Sequence, residues 1–164
     1  MARVVLVGLP GTGKSTVARE VAARWGVEWV DTDLVVEVET GMTPADFIRT
    51  RGEPDFRDVE SEVLARVLVR DVVVATGGGV VEREANREVL RRCDTVWLDA
   101  PDEVLVARVS DGDRPLLGSD AATAIRRLRA RREDWYRSVA RRRVDVRGSV
   151  EDAVQALLDG MMSA

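Results

Sequence analysis

Histidine is absent from all 164 residues, and lysine occurs once, at Lys14. Without histidine there is no imidazole base, no histidine-containing triad and no histidine metal site. A single cysteine, Cys93, excludes an internal disulfide and fits a reducing compartment. No apolar stretch is long enough to span a bilayer, and Met1 to Arg3 lead straight into a strand-like run without a signal-peptide pattern. The expectation is a cytoplasmic protein with no membrane partner. Aromatics make up only 4% and the net charge is −4, so nothing general attracts nucleic acid. There is no repeat, low-complexity tract or linker, and the length suits one domain, 1–164.

What is present is an alternation. Val-rich runs at 4–7, 28–30, 72–75 and 95–98, with a weaker one at 144–146, predict five strands. Helical spacing or cap signals predict helices over 14–25, from Pro44 to near Gly52, and through Phe56, Val59, Val63, Leu64 and Val67 to Arg70. Further helices are predicted over 82–91, 102–109, 121 to about 140, and 150–161. Strands alternating with helices imply parallel βαβ units, and uninterrupted Val runs imply a sheet covered on both faces. The expected class is a three-layer α/β/α fold around a five-stranded parallel sheet.

GLPGTGKS, Gly8 to Ser15, matches G-x-x-x-x-G-K-[ST] after a strand and before a helix. Glycines let backbone N–H groups turn inward, and the helix start adds its positive end. Lys14 can reach β- and γ-phosphates, and the Ser15 hydroxyl can hold Mg²⁺. Every other basic residue is arginine. A narrow ammonium suits a tight backbone nest better than a broad guanidinium fork, which accounts for this exception.

Asp31 and Asp33 of DTD follow the second predicted strand, at the end where open α/β sheets bind ligands. One carboxylate suits Mg²⁺, directly or through water, and the other an acceptor hydroxyl proton. The plainer alternative is that Asp33 only caps the apolar-periodic segment after it. Asp99, after Val96-Trp97-Leu98, imitates a metal-binding strand-end aspartate, but a cap before Pro101-Asp102-Glu103 explains it more simply. In FRDVE, Arg57 and Glu60 share a helix face, so Glu60 can orient Arg57 toward an anion, unless the two are merely a surface pair. Gly77 to Gly79 end the third strand, where a bare backbone can press on a small molecule or simply turn. DGDRPLLG places Arg114 in a loop that can close over phosphates, and an arginine-rich helix follows.

Taken in series, GLPGTGKST, DTD at 31–33, FRDVE at 56–60, TGGG at 76–79, RPLL at 114–117 and RREDWYRSVA at 131–140 resemble the shikimate kinase family of P-loop proteins, over nearly the whole chain. The resemblance implies a P-loop NTPase fold with a mobile lid at about 110–120 and a substrate-binding helical region at about 33–61. It implies ATP-dependent phosphorylation of the 3-hydroxyl of shikimate, on the way to chorismate and the aromatic amino acids, by a monomer. Asp33 then holds the acceptor hydroxyls and is the candidate base, with Lys14 and Arg114 assisting transfer. Arg57, Arg132 and Gly78 bind the substrate. Gly11, Thr12, Gly13, Lys14, Ser15, Thr16, Arg114 and Arg147 face ATP, with Arg108 on the adenine side. Ser15 ligates Mg²⁺ directly and Asp31 through water. Independently of the family, a carboxylated polyol needs paired arginines and hydroxyl acceptors, which Arg57, Arg132 and Asp33 supply. Competing readings are a gluconate or nucleotide kinase, a nucleotide switch and a nucleic-acid binder. The switch lacks the guanine-reading N-K-x-D, because the sole lysine is in the P-loop.

Overall fold

Five strands, β1 (Val4–Val7), β2 (Glu28–Asp31), β3 (Val72–Ala75), β4 (Thr95–Asp99) and β5 (Arg142–Asp145), form one parallel sheet in the order β2-β3-β1-β4-β5. The computed structural model describes residues 1–110 and 120–162. Arg114 and most of the expected lid lie outside the described residues.

The Val runs of β1 and β3 are buried at every position, so both faces of the sheet are covered. The covering helices are α1 (Lys14–Trp25), α2 (Thr32–Thr40), α3 (Pro44–Arg51), α4 (Glu53–Leu68), α5 (Glu84–Leu90), α6 (Asp102–Ser110), α7 (Ala121–Val139) and α8 (Val150–Met162). This is the three-layer α/β/α arrangement expected of a P-loop fold. β3 lies between β1 and β2, so the segments leaving these three strands emerge side by side. Ala75 is the common register mark, pairing with Leu6 on one side and Asp31 on the other.

Three elements differ from the sequence expectation. Helix α2 lies within the helical region expected at about 33–61, but the pattern gave it no bounds of its own: its Val-rich stretch has weak helix propensity, and tertiary burial of Thr32 and Val36 with a strong N-cap sets it. The stretch 82–91 is not one helix. A 3₁₀ turn (Gly78–Glu82) precedes α5, and Arg83 between them is extended. Strand β5 begins at Arg142, two residues earlier than the apolar pattern indicated, because it pairs only with β4 and its arginines reach carboxylates at Asp94 and Asp99.

Candidate active site

The P-loop turns through Gly13, whose φ of +78° is left-handed, directly into α1. Lys14 Nζ donates to the carbonyls of Gly8 (2.9 Å) and Leu9 (3.1 Å), so the lysine is folded into its own loop. Burial pushes its pKa down to about 8, against the attraction of Asp33 and Asp31 and with some help from Arg132. The Thr12 hydroxyl donates to Leu9 O at 2.9 Å and is buried, which makes it a strut of the loop.

A cavity of about 670 Å³ opens beside this loop, lined by Lys14, Ser15, Asp31, Asp33, Arg57, Glu60, the glycine triplet and Arg132. A second hollow of about 200 Å³ shares Gly11, Gly13, Thr16 and Arg108 with it and extends to Val146 and Gly148. The P-loop is thus the partition between two basins.

Asp31, rather than Asp33, is the N-cap of α2. Its Oδ1 accepts from the backbone N–H of Asp33 (2.9 Å) and Leu34 (3.4 Å), while Oδ2 accepts from the Ser15 hydroxyl. With capping assigned to Asp31, Asp33 is left in the first turn of α2, lining the cavity. Burial, reinforced by the neighbouring Asp31 charge, pushes its pKa up to about 6 despite Lys14 and Arg57. Ser15 and Asp31 together present the hard oxygen donors that Mg²⁺ prefers. No group of three or more acidic, cysteine or histidine residues that could hold a metal exists among the described residues.

Arg57 is buried, with Nη1 donating to Glu60 (2.7 Å) and Nη2 to Glu53 (3.1 Å). The Arg57–Glu60 pair is therefore not a surface pair. Burial pushes Glu60 up to about 7, although Arg57 pulls it down. Arg57 Nε and Glu60 Oε1 are buried without a hydrogen-bond partner among the described residues, polar valences at the cavity wall that remain unmet.

The glycine triplet lies against the charged groups. A Cβ on Gly77 would overlap Asp33 and sit 3.0 Å from Glu60 Oε1, one on Gly79 would overlap the Arg57 guanidinium, and one on Gly78 would lie 3.4 Å from Arg132 Nη1. A side chain at 77 or 79 would therefore have to displace the Asp33 carboxylate or the Arg57 guanidinium. Arg132 and Tyr136 are one turn apart on α7, and the buried Tyr136 hydroxyl donates to Gly78 O at 2.6 Å. Tyr136 in turn stacks on Trp97 of β4.

Asp99 is neither a metal-binding strand-end aspartate nor a cap. It is 2% exposed, accepts from Arg129 (3.0 Å) and Arg143 (2.6 Å), and lines a separate hollow on the far side of β4. Arg147 borders that same hollow and pairs with Asp145 at 2.7 Å, away from the P-loop. Arg108 donates to Gly11 O (3.3 Å), Val146 O (2.6 Å) and Gly148 O (3.3 Å), at the junction of the two basins. Sequence reasoning missed Tyr136 as a site residue. Its signal was the four-residue interval from Arg132, which places both on one helix face.

A family model described as shikimate kinase matches residues 10–161. A shikimate kinase from Symbiobacterium thermophilum is 44% identical over 163 residues, covering 95% of this chain and 94% of the relative. A structure of shikimate kinase from Acinetobacter baumannii in complex with shikimate superposes with a TM-score of 0.90 at 36% identity, over 98% of this chain and 92% of the other. A gluconokinase from Sinorhizobium meliloti, at 19% identity and a TM-score of 0.64 over 99% of this chain and 92% of the other, shares the fold alone.

Proposed function

This chain belongs to the shikimate kinase family, and from that premise we propose how its residues divide the work. The reaction is ATP-dependent phosphorylation of shikimate to shikimate 3-phosphate and ADP. One observation carries the assignment of residues: Asp33, Arg57 and Arg132, far apart in sequence, converge on Gly77, Gly79 and Gly78 in turn.

Arg57 and Arg132 hold the acceptor carboxylate, with the Gly78 backbone between them, because paired guanidiniums match a carboxylate in geometry as well as charge. Asp33 receives the 3-hydroxyl. The acceptor oxygen forms its bond to the γ-phosphorus as the bond to the bridging oxygen breaks. The electron pair leaves with ADP and the hydroxyl proton passes to Asp33. A loose transition state asks little basicity of the acceptor, so alignment matters more than proton abstraction. A carboxylate poised near pH 6 can both accept the proton and release it afterwards.

The P-loop from Gly11 through Thr16 cradles the phosphates, and Lys14 exchanges its loop carbonyls for phosphate oxygens. Mg²⁺, when bound, would supply charge to offset that developing on the phosphates. Ser15 would hold it directly and Asp31 through water. Arg108 borders the nucleotide basin. Arg114, from a lid at about 110–120, completes the phosphate site, and the helical region at 33–61 holds the acceptor. Arg147 contributes on the nucleotide side only on leaving Asp145. The protein works as a cytoplasmic monomer of one domain; no helix among the described residues is long and apolar enough to cross a membrane.

The test is a panel of shikimate, gluconate and nucleoside monophosphates with purified protein, ATP and Mg²⁺. Turnover of shikimate alone is expected. Turnover of gluconate without shikimate would sink the reading, because two arginines bind any carboxylate and leave the polyol to decide.

A further inference from the structure

Arg132 is buried at the cavity, yet its guanidinium is not wholly open to it. Nε donates to Glu82 Oε1 at 2.7 Å, and the second oxygen of Glu82 pairs with Arg131. The Glu82 side chain is 6% exposed, so this is an enclosed interaction and not a surface ion pair. Glu82 closes the 3₁₀ turn that begins at Gly78. The turn therefore carries a proposed substrate-contacting backbone at one end and the anchor of a proposed substrate-binding arginine at the other. Tyr136 fastens the same two parts a second time, through its hydrogen bond to Gly78 O.

We propose that Glu82 is a positioning residue that fixes how Arg132 meets the acceptor carboxylate. A guanidinium can grip a carboxylate by its side, through Nε and one Nη, or by its end, through both Nη groups. Glu82 occupies Nε, so the side-on grip is closed. Nη1 stands 3.4 Å from where a Cβ on Gly78 would sit, beside the glycine triplet, which leaves the end-on grip. The carboxylate partner also locks the rotamers of a long side chain before substrate arrives, which lowers the ordering cost of binding. This inference rests on reading Arg132 as a ligand of the acceptor carboxylate.

The experiment measures KM and kcat for both substrates in Glu82→Ala and Glu82→Gln, each also combined with Arg132→Ala. Glu82→Ala is expected to raise KM for shikimate about tenfold with kcat and KM for ATP within about twofold, and Glu82→Gln, which keeps a neutral acceptor, about threefold. Neither change should raise KM further once Arg132 is alanine. Arg131→Ala should leave KM for shikimate within about twofold, since Arg131 shares Glu82 without lining the cavity. If Glu82→Ala does not fold, the glutamine variant carries the test. An unchanged or lowered KM for shikimate in Glu82→Gln overturns the proposal; a lowered value would mean that Glu82 only neutralises Arg132. If Arg132→Ala itself leaves KM for shikimate unchanged, the underlying reading of Arg132 fails, whatever Glu82 does.

Discussion

A methyl group on Gly79 would lie inside the guanidinium of Arg57. The arginine cannot retreat easily, because Glu60 and Glu53 hold both its Nη groups. Gly79→Ala should therefore raise KM for shikimate by tenfold or more and lower the melting temperature, at a cost of about 1–3 kcal/mol for overpacking. Steady-state kinetics with thermal melts check both, and wild-type behaviour in each would show that Arg57 has room to move.

Asp33 sets activity against stability. Its folded pKa of about 6 lies above the ordinary 3.8, so the ionised group destabilises the fold above pH 6, and that penalty vanishes below pH 3.8. Asp33→Asn should abolish transfer while ATP still binds. It should also stabilise the protein at pH 8 by roughly 1–3 kcal/mol, with much less gain at pH 4. Chemical denaturation at the two pH values reads the difference. Normal turnover in the variant would remove Asp33 as the proton acceptor.

Two titrations, of Asp33 and Lys14, bound the activity of the unaltered protein. Below about pH 6 Asp33 takes up a proton, and kcat/KM for shikimate should fall about tenfold per pH unit. Above about pH 8 the free lysine loses its proton, so ATP affinity measured by equilibrium binding should weaken there. A flat profile from pH 5 to 7 would contradict the assignment of Asp33.

Arg57→Ala separates the two basins. It should raise KM for shikimate far more than KM for ATP, with the loss of a charged hydrogen bond costing about 1.5–3 kcal/mol. Equal effects on both substrates would take Arg57 out of the acceptor site.

Lys14→Arg keeps the charge and changes the shape. Lys14 reaches two loop carbonyls within 3.1 Å, in a space fitted to a single ammonium. A planar fork there should cost at least about a hundredfold in kcat/KM for ATP. Activity close to the unaltered protein would mean that charge alone decides this position.

Where sequence and structure agree, the reason is local. β1 and α1 begin and end at the expected residues because a Val run, a glycine-rich turn and a terminal Gly26 each act within a few residues. DTD, FRDVE and the glycine triplet were readable as separate signals for the same reason. The paired aspartates were readable as a unit, but not the division of labour between them. That depends on the Ser15 hydroxyl, sixteen residues away, which together with the cap occupies both oxygens of Asp31. Glu82 and Arg132 are fifty residues apart, and nothing in either neighbourhood points to the other. Asp99 read most simply as a helix cap, and only the fold brings Arg129 and Arg143 to neutralise it.

The shared register mark at Ala75 has a further consequence. Strand β3 works as a ruler held between two fixed edges: the P-loop leaves from β1, Asp31 and Asp33 from the end of β2, and the glycine triplet between them from β3. One residue added within β3 would carry the glycine triplet about 3.3 Å forward and reverse every side chain beyond the insertion. In that sense the distance over which the phosphoryl group travels is written in strand length, and a change in length at this strand is less tolerable than most changes in residue.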